Sequence, residues 1–165
     1  MTKSYDDLMA AFAGESQANR KYLAFAKKAD LDGFPQVARL FRAAAAAETV
    51  HALTHFRTAD NVKSTEENLK AAIEGEHYEN TTMYPEFMKD AESEGDAKAL
   101  RSFTWANEAE KIHEMLYREA LETLGKPGEE YDYYICPVCG YTHKRSAPEK
   151  CPVCGTLGSK FEVVK

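Results

Sequence analysis

Two short segments pair a glutamate with a histidine three residues later: Glu48 with His51, and Glu110 with His113. On a helix such residues lie on one face a turn apart, so each pair presents its carboxylate and imidazole together. Apolar residues at helical spacing precede both pairs, which places them on faces that should be buried. A buried carboxylate is costly unless it is paired or binds a cation. The sequence therefore predicts a cation between the two pairs.

The two pairs belong to an internal repeat. Each residue of the second pair lies 62 positions after its counterpart in the first, and Tyr84 lies 62 positions after Tyr22. Glu76 lies 61 positions after Glu15, so the match crosses a one-residue gap. Two similar helical hairpins thus each supply a lone glutamate from the first helix and Glu-x-x-His from the second. That pattern is typical of di-iron and di-manganese bundles of the ferritin-like class.

The predicted dinuclear site has six ligands and a candidate seventh. A ligand set that consists mostly of carboxylate oxygens with two imidazole nitrogens favours iron or manganese over zinc. The candidate ligands, with Glu79 as the seventh, are Glu15, Glu48, His51, Glu76, Glu79, Glu110 and His113. Tyr22 and Tyr84 lie two turns beyond two of these glutamates. They either pack in the core or hydrogen-bond to the metal-bound carboxylates.

The four cysteines form a second metal-binding pattern. They lie in two Cys-Pro-Val-Cys segments near the C-terminus: Cys136 with Cys139, and Cys151 with Cys154. In a reducing compartment such pairs indicate a metal site before disulfides, and four thiolates bind iron or zinc tetrahedrally. The spacer of eleven residues is shorter than in the usual zinc pattern, which favours iron, with zinc as the alternative. A segment of about thirty residues is too small to fold reliably without its metal.

Composition and charge narrow the class of protein. The chain has 165 residues, 44% of them hydrophobic and 29% charged, which is enough to bury a core. A net charge of −6 without a basic face argues against nucleic acid as a partner. No apolar run is long enough to span a bilayer, and the N-terminus lacks a signal-peptide core. We therefore expect no membrane partner and a cytoplasmic location.

Hydrophobic periodicity and helix-breaking residues divide the chain into elements. Helices are predicted over about 6–29, 36–57, 64–93 and 97–124, with Pro85 kinking the third or ending it early. Short strands are predicted near 133–136 and 161–164. We expect a helical bundle over residues 1–125, a linker over 126–133 and a metal-bound domain over 134–165.

The chain resembles rubrerythrin along nearly its whole length. The resemblance rests on Phe12-Ala-Gly-Glu-Ser16 with Arg20-Lys-Tyr22, on Glu76-x-x-Glu79, on both Glu-x-x-His pairs and on the two Cys-Pro-x-Cys-Gly segments. Ferritin-like proteins share the first motifs and zinc ribbons share the last, but the combination in this order is specific. The resemblance implies an all-α four-helix ferritin-like bundle followed by a small rubredoxin-like metal-bound β domain.

The resemblance also implies an activity. It implies a non-haem di-iron peroxidase that reduces hydrogen peroxide to water for protection from oxidative stress, with electrons passing from the tetrathiolate iron to the di-iron site. In such proteins Glu79 and His51 would exchange as ligands of one iron. The sequence has no Gly-rich nucleotide fingerprint, so an external NAD(P)H-dependent reductase or a rubredoxin must supply electrons. The alternatives are a ferroxidase or iron-storage protein, and a zinc-stabilised metal-binding module without redox activity.

The predicted connector between the second and third helices is short. In a ferritin-like bundle these helices run parallel, so the connector must return roughly 30 Å along the bundle. Residues 58–64 reach only about 25 Å when fully extended. Either the bundle is up-down-up-down, or helices three and four pack into a second chain. We expect a homodimer swapped in this way, in which the first three ligands of one chain meet the last four of another.

Overall fold

The computed structural model describes residues 2–165, so Met1, the first residue of the predicted bundle segment, lies outside the described residues. The chain forms two compact units, one ending at Lys63 and the other running from Ser64 to Lys165. This boundary falls inside the segment expected to form one bundle, and the grouping of residues 1–125 therefore stays a prediction. In the described part of the chain, no helix combines the length and apolar character needed to cross a membrane.

The first unit is a hairpin of helices α1 (Lys3–Leu31) and α2 (Pro35–Thr58). The side chain of Thr2 caps α1 by accepting a hydrogen bond from the N–H of Tyr5, and Gly33 turns the chain at a φ of 80°. Every buried residue between positions 2 and 63 is an alanine. Larger apolar side chains, such as those of Leu40 and Val50, are more than 60% exposed. The hairpin alone therefore leaves much of its apolar surface uncovered.

The second unit begins with three helices, α3 (Thr65–Tyr78), α4 (Tyr84–Glu94) and α5 (Ala97–Thr123). Ser64 and Glu67 form a capping box at the start of α3, a pattern of two residues that the sequence already contains. At the start of α5 the carboxylate of Asp96 accepts hydrogen bonds from two backbone N–H groups. Helices α3 and α4 both pack against α5. All four predicted helices are therefore found, and the third is divided into α3 and α4.

A π-helical turn over Glu79–Met83 separates α3 from α4. The N–H of Tyr84 donates to the carbonyl of Glu79, five residues back. Pro85 has no N–H and cannot continue the α-helical pattern here. The amide of Asn80 instead donates to the carbonyl of Glu76 at 2.8 Å. The predicted break near Pro85 is therefore a local change of helix type that begins at Glu79.

The C-terminal segment of the second unit is a small antiparallel sheet in the order β2-β1-β3. Its strands are β1 (Tyr133–Ile135), β2 (Thr142–Lys144) and β3 (Glu162–Val164). Two of these strands were predicted. Strand β2 was not, because three residues directly after a cysteine turn are too short to show an alternating pattern. A small core of Cys136, Cys151 and Phe161 holds this segment together.

Candidate metal centres

The first half-site consists of Glu15 on α1 and of Glu48 and His51 on α2. One ligand atom from each residue lies within 4.8 Å of the others. The Nδ1 of His51 is 3.0 Å from Oε2 of Glu48 and 3.9 Å from Oε1 of Glu15. These three side chains can share one cation. The imidazole of His51 is 56% exposed, so it lies at the open side of the half-site.

The second half-site repeats this arrangement with Glu76 on α3 and with Glu110 and His113 on α5. Its ligand atoms also lie within 4.8 Å of one another. The Nδ1 of His113 is 2.6 Å from Oε2 of Glu110 and 4.0 Å from Oε2 of Glu76. The imidazole of His113 is only 27% exposed. The repeat seen in the sequence therefore produces two similar clusters, of which the second is more enclosed.

The charges of the second half-site show that it suits a cation. Burial, together with the nearby charge of Glu110, raises the pKa of Glu76 to about 7. The hydrogen bond that Nδ1 of His113 donates to Glu110 raises the pKa of His113. Without metal these groups thus hold protons beyond their ordinary range. A cation can replace those protons, because metal ligands must give them up.

Glu79, the candidate seventh ligand, lies in the π-helical turn and outside the 4.8 Å cluster. Burial and the charge of Glu110 raise the pKa of Glu79. The carboxylate of Glu79 therefore interacts electrostatically with the second half-site. Burial and the charges of the same glutamates raise the pKa of Tyr84. The hydroxyl of Tyr84 therefore lies within electrostatic range of these carboxylates. Its predicted hydrogen bond to a metal-bound carboxylate stays a prediction.

The two predicted tyrosines also occupy equivalent aromatic clusters. The ring centroid of Tyr22 lies 6.2 Å from that of Phe41, and that of Tyr84 lies 6.4 Å from that of Phe103. A further phenylalanine completes each cluster. Both tyrosines thus contact neighbouring phenylalanine rings, and the choice between the two roles considered for them stays a prediction. His77 is adjacent to Glu76 in sequence but pairs elsewhere, since its Nδ1 lies 3.2 Å from Oε1 of Glu114.

The four cysteines are free thiols whose Sγ atoms lie within 4.8 Å of one another. Cys136 and Cys154 are 3.5 Å apart, and Cys139 and Cys151 are 3.4 Å apart. Burial raises the pKa of Cys154, but hydrogen bonds from the hydroxyl and backbone N–H of Thr156 outweigh it and lower the pKa to about 7. The four sulfurs form a compact tetrathiolate site that can hold one metal ion.

The sequence did not single out Thr142, which contacts a predicted metal ligand. Its Oγ1 lies 2.9 Å from Nε2 of His113, and the carbonyl oxygen of Gly140 lies 3.3 Å from the same nitrogen. Nothing in the local sequence marks a single threonine as the partner of a residue 29 positions away. The only available signal was its place two residues after Gly140, which directly follows the metal ligand Cys139.

Together the fold and the ligand sets define a class, namely a ferritin-like di-iron protein that also carries a rubredoxin-like tetrathiolate site. Residues 6–121 match the family model described as Rubrerythrin, and residues 134–162 match the rubredoxin-like domain of rubrerythrin. The chain therefore belongs to the rubrerythrin family. These matches confirm the predicted fold class and the predicted metal cofactors.

Individual relatives are similar along their length. The chain is 39% identical over 163 residues to nigerythrin of Nitratidesulfovibrio vulgaris, covering 90% of this chain and 80% of nigerythrin. It is 36% identical over 174 residues to Rubrerythrin-2 of Clostridium acetobutylicum, covering 95% and 94% of the two chains. The solved structure of fully reduced, all-ferrous nigerythrin gives a TM-score of 0.61 at 36% identity, covering 99% of this chain and 88% of that one.

Proposed function

We propose that this protein is a di-iron peroxidase that reduces hydrogen peroxide to water. The observation that carries the proposal is the presence of a tetrathiolate site in the same unit as a carboxylate–histidine cluster, with a hydrogen bond between His113 and Thr142 linking the two. A storage protein or ferroxidase has no use for such a redox site on the same chain. A zinc-stabilised module has no use for two enclosed clusters of glutamates.

The reaction consumes one peroxide, two protons and two electrons and yields two waters. When bound, two ferrous ions supply the two electrons, and the tetrathiolate iron returns them singly. The residues of this chain would hold the metal pair and neutralise its charge, with Glu48 and Glu110 as the carboxylates proposed to be shared by the two ions. Glu76, whose pKa is raised to about 7 without metal, would give up its proton to act as a further ligand.

We further propose that Glu79 and His51 exchange as ligands of one metal when its charge changes. Two features support this exchange. His51 has an exposed ring, so it can swing away without losing packing contacts. Glu79 lies in a π-helical turn, a kind of turn that is often found at functional sites.

We propose a domain-swapped homodimer as the assembly. The connector between α2 and α3 is residues 59–64. The return from the end of α2 to the start of α3 in a ferritin-like arrangement is about 30 Å, whereas these six residues reach roughly 20–22 Å when fully extended. The exposed apolar side chains of the first hairpin also call for a covering surface. A second chain supplies it in the swapped arrangement.

The proposed setting is the cytoplasm, because the four cysteines are free thiols and a reducing compartment keeps them so. Electrons come from an external NAD(P)H-dependent reductase or a rubredoxin. Among the described residues, the exposed acidic and basic side chains of the C-terminal segment, such as Glu149 and Lys150, are available for contact with such a donor.

Metal analysis and rapid kinetics test the proposed peroxidase. The purified protein should contain three irons per chain, with the visible charge-transfer bands of a ferric tetrathiolate. The fully reduced protein should be oxidised by hydrogen peroxide much faster than by dioxygen. Faster oxidation by dioxygen would indicate a ferroxidase instead. A colourless C-terminal segment that contains only zinc would show that electrons do not enter through the tetrathiolate site.

A further inference from the structure

Strand β2 presents one face to helix α5. Thr142 and Lys144 are two residues apart, so their side chains leave the strand on the same side. Thr142 contacts His113, and the Nζ of Lys144 forms an ion pair with Oε2 of Glu119 at 2.5 Å. Both partners belong to α5. The intervening residue, His143, faces away, with its Nδ1 2.7 Å from the carbonyl oxygen of Ser146.

The hydrogen bonds around Thr142 determine which nitrogen of His113 carries a proton. The hydroxyl of Thr142 donates to the carbonyl oxygen of Gly140 at 3.2 Å. Because its hydrogen is used in that bond, the oxygen of Thr142 accepts from Nε2 of His113. The carbonyl of Gly140 is a second acceptor on the same side of the ring. Nε2 therefore keeps its hydrogen, and Nδ1 is the nitrogen that can bind a metal.

The equivalent histidine of the first half-site has no such support. Within residues 2–63, the Nε2 of His51 makes no hydrogen bond, and its ring is 56% exposed against 27% for His113. The two histidines have the same relation to their glutamates, since each Nδ1 faces the carboxylate one turn earlier. The two histidines differ in the exposure of the ring and in the hydrogen bonds of Nε2.

We propose that Thr142 is a positioning residue that fixes the tautomer and orientation of His113 and so makes it the permanent member of the two repeat-related histidines. This inference rests on the proposed di-iron function. A partner on the far nitrogen of a metal-binding histidine sets its tautomer and ring orientation, and its loss commonly weakens metal binding 10- to 100-fold. His51, without a partner of this kind in its hairpin, is the histidine that can leave.

A pair of substitutions at Thr142 separates the hydroxyl from the packing of the side chain. Thr142→Val keeps the branched shape and removes the hydroxyl, whereas Thr142→Ser keeps the hydroxyl and removes the methyl group. Thr123→Val is the matched control, because the hydroxyl of Thr123 donates only to backbone carbonyls of α5 and contacts no metal ligand. An unchanged tetrathiolate spectrum in both Thr142 variants shows that the C-terminal segment is folded.

The first readout is the release of bundle iron from the full, iron-loaded chain to a competing chelator. We expect release to be about tenfold faster in the Thr142→Val variant and close to wild type in the Thr142→Ser variant and in the Thr123→Val control. A fast-releasing Ser variant with a normal Val variant would show that Thr142 acts by packing, and would overturn the proposal. So would wild-type release in both variants.

The second readout does not depend on iron chemistry. In the full chain loaded with zinc, nitrogen NMR of the His113 ring reports which nitrogen carries the hydrogen. Wild type and the Ser variant should show Nε2–H alone, and the Val variant a mixture of tautomers or a second ring orientation. An unchanged Nε2–H signal in the Val variant overturns the positioning role. Because this measurement requires no peroxide, it gives an answer even if the proposed peroxidase activity is absent.

Discussion

Glu48 and Glu110 have the same geometric relation to the histidine one turn later. The Oε2 of Glu48 lies 3.0 Å from Nδ1 of His51, and the Oε2 of Glu110 lies 2.6 Å from Nδ1 of His113. Both carboxylates are more than four-fifths buried, with exposures of 18% and 17%. Two buried carboxylates at equivalent places are the groups best suited to bridge a pair of cations.

Loss of either bridging carboxylate should abolish the reaction. We expect Glu48→Ala and Glu110→Ala to lower peroxide reduction by at least about 100-fold, since each would remove a carboxylate proposed to be shared by the two metals. The tetrathiolate iron should remain, because the C-terminal segment folds around its own metal. Steady-state peroxide reduction and iron content measure both effects. Glu108→Ala, which breaks only an exposed ion pair with Lys111, is the control and should retain activity.

Mixing the two inactive variants tests the swapped homodimer. If chains carrying Glu48→Ala and Glu110→Ala are co-expressed, a swapped heterodimer has one site with both lesions and one site with none. Random pairing should then restore about a quarter of wild-type activity. Each variant expressed alone provides the baseline. An inactive mixture, in dimers shown to contain both chains, would indicate that each site forms within a single chain.

Removal of a tail ligand should separate electron entry from peroxide chemistry. We expect Cys139→Ala to lose the tetrathiolate iron but to retain every bundle ligand, so the bundle can still be loaded with iron even though the contact of Thr142 with His113 is weakened. After chemical reduction, the variant should still be oxidised by one equivalent of peroxide. Its turnover with an external electron donor should stop. Val138→Ala, at an exposed position in the same turn, should leave both properties unchanged. Undiminished turnover in the Cys139 variant would rule out the tail as the route of electrons.

The raised pKa of Glu76 predicts how pH affects the protein without bundle metal. Its pKa rises from 4.5 to about 7 on folding. A carboxyl group with a raised pKa stabilises the fold below the unfolded value, and this contribution is lost as pH rises through the folded value. The melting temperature of the bundle-metal-free protein should therefore fall between pH 4.5 and about 7.

The variant Glu76→Gln isolates this effect, because glutamine stays neutral at every pH. Its melting temperature should decrease less over the same range, whereas the exposed control Glu86→Gln should follow wild type. Bound metal replaces the proton, so metal-loaded wild type should lack this component of the pH dependence. Identical pH profiles for wild type and Glu76→Gln without metal would show that Glu76 does not hold the proton.

The one-residue gap in the internal repeat corresponds to the π-helical turn of the second hairpin. The repeat spacing is 61 at Glu15 and Glu76 but 62 at Tyr22 and Tyr84, so the second hairpin has one extra residue between these positions. A helix that must keep both ends on the same face accommodates an extra residue as a π-helical turn. That turn lies over Glu79–Met83, between the two matched positions. Pro85 by itself predicted only a kink or an early end of the third helix.

The sequence by itself determined the elements and the ligand types, because helix periodicity, caps and cysteine turns are local properties of a few neighbouring residues. The helix ends, the capping box at Ser64 and the four-cysteine site follow from such local patterns. Only the tertiary structure decided which side chains meet across distant positions. The contact of Thr142 with His113 depends on how β2 packs against α5, and no spacing rule encodes such packing. The same packing makes two histidines that are equivalent in sequence unequal in burial and in hydrogen bonding.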